Sequence, residues 1–207
     1  MSSRESTVHR PAAPDAGTLR PALMLALLTL LCAGLAYALV ATGLGRLLFP
    51  AQAQGSLVER DGRIVGSALV AQPFADARYF IPRPSAAGFD PMAMAGSNQA
   101  RSNPELLQTI ADTRAEIAAR DGIDIADVPA DLATRSGSGV DPHISPDAAR
   151  VQIARVAAAR RLDPAQVRAL VGAHTQGPTL GVLGAARVDV LALNLALDAA
   201  DATRGAE

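Results

Sequence analysis

The sequence contains no lysine; all 19 of its basic residues are arginine. That absence excludes a phosphate-gripping P-loop lysine and any lysine Schiff base. Cysteine occurs once, at Cys32, so no disulfide can form within the chain and no Cys-based zinc site can be assembled. Aromatic residues make up 3% of the chain, which argues against base-stacking platforms. The net charge of −1 provides no basic surface for nucleic acid. Three histidines, His9, His143 and His174, are too few and too scattered to suggest a metal site.

What the chain does have is one long apolar run. Ala22 to Leu44 holds no charged residue. As a helix it spans about 34 Å, enough to cross a hydrocarbon core of roughly 30 Å. Pro21 suits a first helical turn, and Arg20 and Arg46 flank the run. Ala51-Gln52-Ala53 resembles a signal-peptide cleavage site, but the apolar run is longer than a signal peptide requires. Leu31 before Cys32 is too bulky for a lipoprotein signal. A retained anchor over residues 21–48 is therefore expected. Arg4, Arg10 and Arg20 precede it and Arg46, Arg60 and Arg63 follow it, so charge leaves its direction undecided.

Residues 1–20 are polar, carry Pro11 and Pro14, and read as a disordered tail. Residues 50–207, about 158 in all, are enough for one domain with a true core. Asp61-Gly62 between the β-prone runs 56–60 and 63–67 predicts a hairpin with a type I′ turn. A long loop is expected over 82–104. Three helix starts follow with the same grammar, a capping side chain and then proline: Asn103-Pro104, Ser145-Pro146 and Asp163-Pro164. The first helix is expected to run to Arg120 on Leu106, Leu107, Ile110, Arg114 and Ile117. The second should end near Arg161 and pack through Ala148, Val151, Ala154 and Ala158; the third should reach Val171. His174 is placed to close that third helix. A Leu-rich run from Val188 to Ala200 alternates with period two, yet Leu and Ala favour helix, which Asp189 would cap. The fold class is α+β: one membrane helix, then one soluble domain with a small sheet and several helices.

The densest polar cluster runs from Thr134 to Pro146. Gly137 and Gly139 invite a phosphate loop, but the missing lysine rules out a Walker site. Ser138, Ser145, His143 and Asp141 contain the residue types of a hydrolase, crowded into a few positions, whereas a triad is brought together by a fold. The structural reading has Asp141-Pro142 forming a turn, Ser145 capping a helix and His143 bonding backbone. No catalytic residue and no metal ligand is assigned.

The order of these features resembles a known family. Gly66-Ser67-Ala68, Tyr79-Phe80, Arg83-Pro84-Ser85, Gly96-Ser97-Asn98 and Ser102-Asn103-Pro104 are followed by Ser138-Gly139-Val140-Asp141-Pro142-His143-Ile144-Ser145 and Gln152. Arg155-Val156-Ala157, Leu183-Gly184, Arg187-Val188-Asp189-Val190-Leu191 and Leu193-Asn194-Leu195-Ala196-Leu197-Asp198 close the pattern. In order and spacing this is similar to the C subunits (KdpC) of bacterial Kdp potassium-transporting ATPases, from about Ala22 to Asp198. Val140, Asp189 and Arg135 stand where the family tends to carry Leu, Asn and a small residue.

The resemblance implies an accessory subunit of an inner-membrane complex for high-affinity potassium uptake. The implied partners are a channel-like potassium-binding subunit, an ATP-hydrolysing P-type subunit and a very small helical subunit. It implies a cytoplasmic N-terminus and a periplasmic domain. ATP and potassium enter at the level of the complex, with no cofactor assigned to this chain. A second implied role is that of a catalytic chaperone raising ATP affinity, for which Ser136, Gly137, Ser138, Gly139 and Gln152 would be the nucleotide candidates. A periplasmic domain cannot touch cytoplasmic ATP, so the two implications conflict physically. Arg83, Ser97, Asn98, Asn103, Asp141, His143 and Ser145 are the candidate interaction residues. Gly34, Ala38 and Ala41 form a small-residue face for helix packing in the bilayer. A P-type pump also needs an Asp-Lys-Thr-Gly sequence, which a chain without lysine lacks. With one span it cannot enclose an ion path alone.

Overall fold

A computed structural model of the chain describes residues 16–204. Most of the tail expected over 1–20 lies outside them. Its last residues are helical: Ala16–Thr18 form a 3-10 turn that leads into the anchor. The anchor starts as α1 (Leu19–Thr29), widens into a π-helical segment at Leu30–Ala36, and resumes as α2 (Tyr37–Leu48). At the start of the widening, Thr29 Oγ1 donates to the Leu25 carbonyl at 2.8 Å, a back-bond that competes with the helical ladder. Leu19–Leu48 is a 30-residue helix long and apolar enough to cross a membrane. A short α3 (Pro50–Ala53) follows. The chain divides into two compact units between Gln54 and Gly55.

The second unit opens with the expected hairpin. Strand β1 (Leu57–Arg60) pairs antiparallel with β2 (Arg63–Ser67). Asp61 and Gly62 have φ of 51° and 72°, the left-handed pair a type I′ turn demands. The segment from Ala71 to Asn103 holds no regular element. Asn103 then caps α4 (Pro104–Asp121), accepting from the Glu105 N–H at 2.9 Å, and Gly122 ends it at φ 66°. This helix buries Ile117, Ala118 and Asp121, whereas Leu107, expected on the apolar face, is exposed. A 3-10 turn at Ile125–Asp127 and a short α5 (Ala130–Ala133) follow.

Strand β3 (His143–Ile144) leads into α6 (Pro146–Arg160), whose N-terminus is capped by Ser145. Its buried face differs from the expected one. Ala148, Ala149, Gln152, Ile153, Val156, Ala157 and Arg160 turn inward, while Ala154 and Ala158 are exposed. Small residues occur all around this helix, so apolarity alone did not mark the inner face. The true face is wider and carries polar side chains because it packs against an extended backbone as well as against other helices. Helix α7 (Pro164–Ala173) starts with a capping box between Asp163 and Gln166. His174 closes it, with Nδ1 2.9 Å from the Leu170 carbonyl.

Strands β4 (Thr175–Gln176) and β5 (Arg187–Asp189) precede α8 (Val190–Arg204). Val188, expected in the last helix, is instead the centre of β5. The helix begins after Asp189, whose Oδ1 accepts from the Ala192 N–H at 2.9 Å. The three-stranded sheet has the order β3–β5–β4, all antiparallel. The leucines that alternate with period two, Leu191, Leu193, Leu195 and Leu197, all lie in α8, as their helix propensity leads one to expect. Phe80, Leu132, Ile144, Val156, Val167, Val188, Leu193 and Leu197 form the heart of the core, each 2% exposed or less. The architecture is α+β.

Candidate interaction site

The extended chain through Phe80 and Ile81 is held like a strand, but by side chains. Asn194 Oδ1 accepts from the Phe80 N–H at 2.8 Å and its Nδ2 donates to the Phe80 carbonyl at 2.9 Å. Gln152 does the same for Ile81, accepting at 2.9 Å and donating at 3.2 Å. Two helices thus supply the backbone partners that a neighbouring strand would otherwise supply. Arg155 adds bonds from Nη1 to the carbonyls of Ala77 (2.7 Å) and Tyr79 (2.9 Å). Arg160, its side chain 1% exposed, bonds the Arg78 carbonyl through Nε and pairs with Asp198 and Asp201. Its guanidinium also lies over the Tyr79 ring, 4.8 Å from the centroid.

Two residues beyond this clamp, Arg83 enters a cleft of about 340 Å³. Arg83, Asp131, Asp141, His143, Ser145 and Arg187 line it, with Ile144, Ala185 and Ala186. Arg83 Nη1 lies 3.4 Å from Asp141 Oδ2, and His143 Nδ1 lies 3.4 Å from Asp141 Oδ1. Arg83 Nη2 reaches the Arg135 carbonyl at 3.5 Å, while its buried Nε has no protein partner among the described residues. Asp141 Oδ1 also accepts from the His143 N–H at 3.0 Å, which makes the expected turn an Asx turn. The ring of His143 therefore faces a carboxylate, whereas a backbone bond was expected for it.

Ser145 caps α6 by accepting from the Ala148 N–H at 3.0 Å. Its hydroxyl donates to Asp131 Oδ1 (3.1 Å), and its N–H donates to Asp131 Oδ2 (2.8 Å). The serine hydroxyl is thus directed to Asp131, not to His143, and the nucleophile–base bond of a hydrolytic triad is not formed here. The cleft is a charged, partly pre-paired surface. It suits recognition through hydrogen bonds and ion pairs.

The other sequence candidates lie elsewhere. Gln152 is fully buried; besides Ile81, its Oε1 accepts from Arg155 Nη2 (2.7 Å) and its Nε2 donates to the Ala148 carbonyl (3.1 Å). The loop Ser136–Gly139 is closed on itself: Ser136 Oγ accepts from the Gly139 N–H at 2.8 Å, and Ser138 Oγ from Val140 N–H at 3.2 Å. Ser85 Oγ donates to the Gly139 carbonyl, and the Ser136 N–H donates to the Pro84 carbonyl at 3.0 Å. This loop therefore braces the 84–96 segment, where Gly96 stands against Gly137. Ser97 is half-buried and Asn98 exposed, with φ 51°, outside the cleft. Asn103 serves α4 as its cap. Gly34, Ala38 and Ala41 face outward on the anchor, as do the other residues of that span.

Sequence reasoning missed Asp131, Arg155, Arg160, Asn194 and Arg187 as positioning or lining residues. Asn194, Arg155 and Arg187 did occur in the runs that carry the family resemblance, which was the available signal. Nothing local distinguished Asp131.

Comparison with known proteins places the sequence in a family. A family model described as K+-transporting ATPase, c chain (KdpC), matches residues 19–199. The potassium-transporting ATPase KdpC subunit of Xanthomonas oryzae pv. oryzae (strain MAFF 311018) is 64% identical over 186 residues, covering 90% of this chain and 89% of its own. The KdpC subunit of Gemmatimonas aurantiaca is 52% identical over 188 residues, covering 89% and 94%. That of Shewanella putrefaciens is 51% identical over 176 residues, covering 85% and 88%. With the family pattern running from the anchor helix through the amide clamp to the last helix, this chain belongs to the KdpC family, the C subunits of potassium-transporting ATPases.

Proposed function

We propose that the chain is a non-catalytic accessory and assembly subunit of a high-affinity, ATP-driven potassium uptake complex. The observation that carries this is the pairing of one membrane-length helix with a separate folded domain whose charged cleft is built for recognition. One helix cannot enclose an ion path, and the chain has no lysine for a P-type phosphorylation sequence. Potassium binding and ATP hydrolysis then fall to partners: a channel-like subunit, a P-type subunit and a small helical subunit. The anchor docks on them in the inner membrane through Gly34, Ala38 and Ala41, where small side chains let helices approach closely. The π-helical widening, which includes Gly34, alters the surface offered there.

In this reading the N-terminus is cytoplasmic, and the domain from residue 50 onward is periplasmic and covers the potassium entrance. Its slight acidic excess raises the local cation concentration. The alternative role, raising the ATP affinity of the hydrolysing subunit, needs Gln152 and the 136–139 loop to meet nucleotide. The full hydrogen bonding of Gln152 inside the core supports a fold role for it instead.

Topology gives the test. Met92 is 92% exposed, so Met92→Cys in a Cys32→Ala background offers one accessible thiol. A membrane-impermeant maleimide should label it in intact cells whose outer membrane has been made permeable. Labelling only after the inner membrane is lysed would overturn the periplasmic assignment. Affinity purification in mild detergent should recover the transport and hydrolytic subunits together with this chain; a solitary monomer would overturn the assembly role.

A further inference from the structure

The connection between β4 and β5 is unusual for a surface turn. Leu180, Val182 and Leu183 are 86%, 79% and 60% exposed. The turn is well formed: the Thr179 N–H donates to the Leu183 carbonyl at 2.8 Å, the Leu183 N–H donates back at 2.9 Å, and the Gly181 N–H donates to the Pro178 carbonyl at 3.0 Å. Leu180 sits at φ 55°, a left-handed conformation that a γ-branched residue rarely takes. A polar turn would make the same connection without strain and without wetted leucines. Single exposed apolar side chains need no explanation, but three within four residues of an ordered turn form a patch that marks an interaction site. Being already ordered, it loses little entropy on binding.

The turn runs directly into Ala185, Ala186 and Arg187, which form one wall of the charged cleft. Arg187 is half-buried at the start of β5, and its guanidinium has no hydrogen bond or ion pair among the described residues. Across the cleft, Arg83 Nε is buried and has no partner among the described residues, while the carboxylates of Asp131 and Asp141 are already engaged. The open valence of the cleft is therefore that of a cation seeking an anion.

We propose that Leu180, Val182 and Leu183, with Arg187 beside them, dock a partner subunit whose extramembrane surface offers an apolar socket rimmed by a carboxylate side chain. This rests on the assembly role proposed above and names the surface and its chemistry. A protein partner fits better than a bilayer. Membrane-inserting segments carry aromatic or basic residues at the headgroup level. Residues 177–186 contain none, and the arginine is set back in a cleft where a side-chain carboxylate can reach it. Arginine and large apolar anchors are also the side chains that dominate protein–protein contacts.

The test uses the whole complex, purified in mild detergent through a tag on this chain. Leu180→Ser combined with Val182→Ser should lower the recovered partner about tenfold, because both side chains anchor the contact. Arg187→Glu should lower it further, and Arg187→Lys should retain part of the binding. The serine pair is at the surface, so thermal unfolding of that variant should match the parent and separates lost docking from lost folding. A photo-crosslinking residue at Val182 should capture a partner subunit. Capture of lipid, or of a second copy of this chain, overturns the proposal, as does normal recovery of partners by the serine pair and by Arg187→Glu. If the parent chain itself recovers no partner, the assembly role has failed; if the parent does and the variants do equally, only the docking surface has.

Discussion

Asn194 satisfies both backbone groups of Phe80, a residue 114 positions earlier, through its Oδ1 at 2.8 Å and its Nδ2 at 2.9 Å. Both residues are at most 1% exposed. A buried peptide group left without partners costs about 1–3 kcal/mol for each donor or acceptor. Asn194→Leu should therefore destabilise the domain by about 3 kcal/mol, read from the midpoint of chemical unfolding. Asn194→Asp keeps an acceptor for the N–H but sets a second acceptor against the Phe80 carbonyl, and should be no more stable than Asn194→Leu.

Asp121 occupies a comparable position for charge. Its side chain is fully buried, Oδ1 lying 2.6 Å from Arg155 Nε and Oδ2 2.6 Å from Arg120 Nη2. Removing one partner of a buried pair strands the other charge, at a cost of about 3–5 kcal/mol. Asp121→Ala should reach that range in thermal or urea unfolding. Replacing Asp121 and Arg155 together should cost less than the sum of the single changes, because they share one interaction.

Gly139 tests the loop that braces the 84–96 segment. Its φ is 76°, and a Cβ placed on it would lie 2.7 Å from the Ala87 Cβ and 2.7 Å from the Ala95 carbonyl oxygen. Gly139→Ala must strain the backbone and push two segments apart, with an expected loss of about 2–3 kcal/mol. Protection of the 84–96 amides against hydrogen exchange should fall with it. Gly62→Ala, whose added Cβ meets nothing, should be milder and lose only what the hairpin turn requires of its φ.

Asp76 is held below the ordinary aspartate range by its hydrogen bonds from the Arg78 side chain, at 3.1 Å from Nε and 3.0 Å from Nη2, and secondarily by the Arg78 N–H. The lowered value means that the ionised form is favoured in the folded state. Its contribution to stability is present above the unfolded aspartate pKa and is lost as pH falls through the lower folded value. The site is exposed, so the contribution is small. Titration of the Asp76 carboxyl by NMR should show a depressed midpoint, and Arg78→Gln should return it most of the way to the ordinary range.

The parts of the fold legible in the sequence were those decided within a few residues. Asn103, Ser145 and Asp163 announced three helices because a cap bonds a backbone N–H two or three positions ahead. Asp61-Gly62 announced the hairpin for the same local reason. The inner face of α6 was not legible, since nothing near Gln152 and Arg160 in the chain marks these polar side chains as inward-facing. Nor was the short sheet, whose strands of two and three residues carry too little pattern to register. The cleft was half legible. Asp141, His143 and Ser145 stand close in the chain, but Arg83, Asp131 and Arg187 arrive from three other segments.

By itself, the sequence determined that a membrane-length helix precedes a domain of mixed class, that no lysine chemistry is possible, and where the principal helices begin. Length, composition and capping are local quantities, readable without knowing what lies across the fold. Only the tertiary structure decided that Gln152 and Asn194 hold backbone, that Ser145 answers to Asp131 rather than to His143, and that the Arg187 side chain meets no partner among the described residues. Those outcomes depend on which groups meet across separations such as the 71 residues between Ile81 and Gln152. A buried polar side chain takes its role from the donors and acceptors that the packed fold brings to it.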